Sequence, residues 1–149
     1  MKSGVCFLFG HQDAREEILP ALRAALTDHI TEKSVEEFWV GGYGGFDALA
    51  ARALVGMKAR FPHIRLRQVI PYHPAVRPVE APEGFDGTFY PPGMEGVPPR
   101  LAIVRANRIA LELSDFLIVY FRRSCGNTAR MLEAAEKRQA RGLLHITRI

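Results

Sequence analysis

A chain of 149 residues with 48% hydrophobic residues is long enough for one domain with a sizeable core. No stretch approaches the roughly 18 consecutive apolar residues of a membrane helix, and the apolar run after Lys2 is too short for a secretory signal and has no small-residue cleavage site, so a cytoplasmic protein is expected. The net charge is +4, and 16 of the 20 basic residues are arginine, which suits anionic partners or simply reflects Arg used in place of Lys; with no run of five basic residues, a nucleic-acid-binding tail is not indicated.

Strands and helices alternate along the chain. Val5 to Phe9 is a nearly continuous apolar run, the pattern of a strand buried on both faces. Asp13 is placed to cap the first helix, in which Ile18, Leu22, Ala25, Leu26 and His29 recur at helical spacing. Pro20 either kinks that helix or marks the first turn of its main segment. Val35 to Val40 predicts a second strand, followed at once by Gly41-Gly42-Tyr43-Gly44-Gly45. Phe46, Leu49, Ala50, Ala53, Leu54 and Met57 then form an amphipathic stripe, which Pro62 ends. Ile64, Leu66, Val69 and Ile70 predict a third strand.

Residues 71 to 99 hold eight of the ten prolines and four glycines. Regular helix or central strand is implausible there, and the segment reads either as a lid or binding loop or as a disordered surface excursion. Tyr72, Phe85, Phe89 and Tyr90 tilt the reading towards packing. Ala102, Ala106, Ile109, Ala110 and Leu113 mark the next helix, Asp115 to Phe121 the strongest strand, and Ala129, Leu132 and Ala135 a last helix that Gly142 ends before a strand at Leu143 to Ile146. The sum is one α/β domain over residues 1–149, with a Rossmann-like parallel sheet of about five strands and helices on both faces, a three-layer sandwich.

Three polar or glycine-rich segments directly follow strands: Gly10-His11-Gln12, Gly41 to Asp47, and Ser124 to Thr128. The fold rule puts all three at the carboxyl edge of one sheet, where ligands bind. Gly41, Gly42, Gly44 and Gly45 allow close backbone approach, and the helix after them offers unpaired N–H groups and a positive dipole end to a phosphate. The turn is neither GxGxxG nor a Walker loop. Asp47 either offsets the helix dipole or accepts a ribose hydroxyl. His11 contacts phosphate, transfers a proton, or bonds local backbone. Ser124, Gly126, Asn127 and Thr128 suit phosphate oxygens or plain helix capping. Arg105, on one helix with Asn107, forks an anion or is solvated. Cys6 and Cys125 have no metal-ligand partners, so no metal and no cofactor is expected, and Cys125 is a poor candidate nucleophile. His29, His63 and His145 are given no functional role.

Taken in order, Phe9-Gly10-His11, Phe38 to Asp47 with Ala50, Val69-Ile70-Pro71-Tyr72, Arg105-Ala106-Asn107, Ser114-Asp115 and Gly126-Asn127-Thr128 resemble the SLOG superfamily, which joins DprA/Smf and LOG-like proteins, and within it the YpsA-like, DUF1273-type branch. The resemblance implies a Rossmann-like fold, a nucleotide-derived ligand and a homodimer. LOG-type members cleave the N-glycosidic bond of nucleoside monophosphates with a Pro-Gly-Gly-x-Gly-Thr-x-x-Glu motif and an arginine. Here Pro-Gly-Gly is missing, Asn127 replaces a glycine, Gln12 follows Gly-His where the branch usually has arginine, and Met131 stands three residues after Thr128 where glutamate is expected. Glu133, two residues further on, is the weak catalytic candidate. A nucleotide-binding domain acting as a sensor is therefore expected; the alternative is a LOG-like phosphoribohydrolase.

Overall fold

The computed structural model describes residues 4–122 and 126–149. Its elements in chain order are β1 (Gly4–Gly10), a 3-10 turn (Glu16–Ile18), α1 (Leu19–Thr31), β2 (Val35–Val40), α2 (Gly45–Arg60), β3 (Arg65–Val69), β4 (Gly87–Phe89), α3 (Pro99–Leu113), β5 (Phe116–Tyr120), α4 (Gly126–Ala140) and β6 (His145–Arg148). The six strands form one all-parallel sheet in the order β4-β3-β2-β1-β5-β6.

Side chains alternate across that sheet, and the alternation builds two cores. Cys6, Leu8, Phe38, Val40, Leu66 and Ile118 face α1 and α2. Phe7, Trp39, Val69, Leu117 and Val119 face α3 and α4. The central strands are therefore buried on both sides, which is why β1 and β5 are nearly continuous apolar runs and why β2, after Glu36 and Glu37, ends on the buried run Phe38-Trp39-Val40. Connections through α1 and α2 carry the chain one way along the sheet, and those through α3 and α4 carry it back past β1. The strand order thus reverses between β1 and β5, and a crevice opens at the carboxyl ends there.

Pro20 lies in the first turn of α1 and starts that helix without kinking it. The cap position of the preceding 3-10 turn falls on Arg15, with no side-chain cap, so Asp13 is not the N-cap. The final strand begins at His145, two residues later than the apolar run suggests.

The sheet has six strands where the sequence pattern predicts about five. The additional one, β4, lies inside the Pro/Gly-rich segment. It has three residues and sits on the sheet edge, where few ladder hydrogen bonds are required and proline is tolerated nearby. Tertiary contacts hold it. Phe89 stacks on Trp39 at 4.3 Å between ring centroids, the Arg67 guanidinium lies 5.1 Å over Phe89, and Arg67 donates to the Thr88 carbonyl at 3.0 Å. Just before it, the Asp86 carboxylate accepts the Leu66 N–H at 2.7 Å and pairs with Lys58 at 2.9 Å. Phe85 packs on the α1/α2 core, and Tyr72, Phe89 and Tyr90 pack on the other, as their aromatic character suggests.

His29 is completely buried on α1. Its Nδ1 donates to the Ala25 carbonyl at 2.7 Å, its ring meets Phe116 edge-on, and Nε2 has no partner among the described residues. Burial holds its pKa below the usual value, opposed by the Ala25 hydrogen bond. The unfolded chain therefore binds this proton more readily than the folded one, so its contribution to stability is complete above about pH 6.5 and declines as pH falls below it. Thermal melts between pH 7 and pH 5 should show a smaller acid-induced loss for His29→Leu than for the wild type; parallel losses would exclude His29 as the source.

Candidate functional site

The site is organised by one close backbone contact. The Gly45 N–H donates to the Gln12 carbonyl at 2.6 Å. A Cβ on Gly45 would stand 2.6 Å from that oxygen and 2.7 Å from the Ala14 oxygen, and Gly44, with φ of 101°, would press on the Gln12 backbone. Both positions therefore require glycine. Gly10 is held against the Phe46 ring, while the space beside Gly41 and Gly42 is taken by the Asp47 carboxylate and the Gln68 amide. The glycines of this turn act by admitting neighbours, and the first N–H of α2 is already engaged by Gln12.

The result is a cleft of about 510 Å³, measured to its open mouth, at the β1/β5 reversal. Phe9 and Gly10 come from β1 and Gln12 from the loop after it; Tyr43 and Asp47 from the turn and first helical residues after β2; Ile103, Val104 and Asn107 from α3; Asn127, Thr128 and Met131 from α4. Five residues singled out in the sequence, Gly10, Asp47, Asn107, Asn127 and Thr128, thus share one wall system. Among the described residues, no hydrogen bond engages the side chains of Gln12, Asn107, Asn127 or Thr128. Thr128 is only 8% exposed, and it lies in the first turn of α4. The hydroxyl of this largely buried threonine and three amides are therefore open to whatever occupies the cleft.

Asp47 is the one acidic residue among the described lining residues, which include no lysine or arginine. It sits in the first turn of α2 and accepts the Tyr43 N–H at 2.9 Å. Burial pushes its pKa up to about 6, against the lowering effect of that hydrogen bond. Near neutral pH this carboxylate is ionised but poorly solvated, a strong acceptor for a ligand hydroxyl or amine.

Other sequence candidates lie elsewhere. His11 is not in the cleft wall; it is 4% exposed, stacked on Phe121 and edge-on to Tyr120, and borders a separate depression with Arg15 and Arg122. Its Nε2 accepts the Arg122 N–H at 2.8 Å, so it ties the β1 loop to the segment leaving β5. Arg105 is exposed on α3 and is not part of the cleft wall. Glu133 is exposed on α4, 3.7 Å from Lys137, beside Arg108 and Arg130 in a separate depression. Gly126 opens α4 with φ of 85°. Ser124 and Cys125 lie outside the described residues.

No family model matches the chain, and no curated protein matches its sequence.

Tyr43, Ile103, Val104 and Met131 were not singled out as site residues from the sequence. The α3 members were readable in principle, because Ile103, Val104 and Asn107 share one helical face. Met131, one turn after Thr128, holds the place where the resembled motif has glutamate.

The Asp47 environment costs stability. The unfolded carboxyl titrates near 3.8 and the folded one near 6. Between those values the folded state holds more protons, so stability falls as pH rises through the window, and the full penalty applies above about 6. The shift sets an upper bound of about 3 kcal/mol, reduced to the order of 1–2 kcal/mol by partial exposure. Asp47→Asn should therefore raise the Tm by a few degrees at pH 7 and converge with wild type near pH 4. A variant less stable than wild type at pH 7 would contradict this description of the site.

Proposed function

We propose that this cleft binds a nucleotide or a nucleotide-derived phosphate ligand, and that the protein is a binding or sensor domain. The observation that carries the reading is the meeting of two helix N-terminal turns, those of α2 and α4, with unengaged amides and a desolvated carboxylate in one cleft at the strand-order reversal. The α4 turn supplies Asn127, Thr128 and the positive end of the helix dipole to a phosphate. Asp47 repels an anion and so takes the opposite end of the ligand, accepting hydrogen bonds from ribose hydroxyls. The ordered motifs that resemble SLOG domains support the same reading. That resemblance also carries a homodimer, which a mass measurement in solution checks.

Binding is favoured over hydrolysis by the wall itself. Met131 faces the cleft, and Glu133 is on a solvent-facing site with Lys137. The LOG-like hydrolase remains the second reading because of Asp47, whose raised pKa near 6 suits a general acid or base in a cleft.

Incubation with AMP, NAD, ADP-ribose and CMP, followed by thermal stability and by released base, separates the two. At 100 times its Kd a ligand adds about 2.7 kcal/mol, a clear rise in Tm. The expected result is stabilisation by at least one of these compounds without base release. Base release lost in Asp47→Asn or in Glu133→Ala would establish the hydrolase. No shift with any of them at millimolar concentration would overturn the nucleotide reading.

A further inference from the structure

Tyr43 is shared by two clefts. It lines the cleft just described and also a second depression of about 320 Å³ at the carboxyl ends of β2 and β3. This depression is lined by Gly42, Tyr43, Val69, Ile70, Pro71 and Val79, together with Gln68. The Gln68 amide lies so close over Gly42 that a Cβ there would meet it at 2.5 Å, and no hydrogen bond engages it among the described residues. In the segment after β3, the Arg77 guanidinium lies 4.1 Å over the Tyr72 ring. Both act electrostatically on the Tyr43 hydroxyl, whose pKa is raised first by burial, then by Tyr72, with Arg77 opposing.

An aromatic ring, branched and cyclic aliphatic walls and one open amide suit a flat, uncharged heteroaromatic group. The apolar walls cover its faces, and the amide offers one donor and one acceptor to its edge. Because Tyr43 lines both this depression and the cleft that holds Asp47 and the α4 turn, one ligand can span both. We infer that the second depression is a nucleobase subsite, with Tyr43 as the partition between base and sugar-phosphate and Gln68 as the residue that reads the base. The inference rests on the nucleotide reading of the main cleft and adds which part of the ligand lies where.

Calorimetric titration with AMP, GMP, CMP, UMP and ribose 5-phosphate tests it on wild type, Gln68→Met and Val79→Asp. Val79 is 41% exposed on the loop, so the second variant probes the subsite without disturbing the sheet. Wild type should bind at least one nucleotide tenfold or more tighter than ribose 5-phosphate. Both variants should lose most of that advantage and bind ribose 5-phosphate as wild type does. Equal affinity for nucleotides and ribose 5-phosphate, or an advantage unchanged in both variants, overturns the base subsite and leaves the main cleft's assignment intact. Failure of all five compounds to bind overturns both.

Discussion

The hydrogen bond from Gly45 to the Gln12 carbonyl sets the geometry of everything at the sheet's carboxyl edge. It draws the loop after β1 against the first turn of α2, at a separation that only glycine permits at positions 44 and 45. That contact fixes where Gln12 and Tyr43 stand, aims the first turn of α2 at the β1/β5 reversal, and places Asp47 beside Gly41 rather than in solvent. Gly10 completes the arrangement from the strand side, since its missing side chain lets Phe46 seal the core directly beneath the cleft. The glycine-rich turn is thus first a packing device, and its consequence for ligand chemistry is indirect.

Its electrostatic character follows from the same constraint. The first turns of α2 and α4 line this cleft, and their dipoles make it favourable to negative charge. Asp47 sits within that field and is nevertheless raised to about 6, because burial outweighs the Tyr43 hydrogen bond. A folded protein that keeps an ionised, poorly solvated carboxylate in an open cleft gives up stability there, as binding sites commonly do. The cleft is therefore polarised. One end accepts hydrogen bonds from a ligand, and the other, at Asn127 and Thr128, donates them.

The fold was legible because buried parallel strands and amphipathic helices carry strong periodic signals, as in Phe116–Tyr120 and in the α2 stripe from Phe46 to Met57. β4 was not legible. Three residues carry no period, and what holds Phe89 in line is Trp39 and Arg67, far away in sequence. The site was legible to the extent that it follows strand ends: Gly10, Asp47, Asn127 and Thr128 line the cleft. Where direction about an axis decided the outcome, the sequence alone did not suffice. Arg105 lies two residues from Asn107, and Glu133 two from Met131, which is about 200° around a helix and so the opposite face. His11 follows β1 directly yet turns into the protein to meet Phe121 and Arg122, a tertiary preference with no local signature.

The central claim is that the ligand occupies the β1/β5 cleft. A titration of the isotopically labelled protein with AMP, read by backbone and side-chain amide NMR shifts, tests it residue by residue. The account predicts the largest perturbations at Gly10, Gln12, Tyr43, Asn107, Asn127 and Thr128, with little change at Arg108, Glu133 and Lys137. Perturbations centred on that second group, or spread evenly over the basic surface, would contradict it.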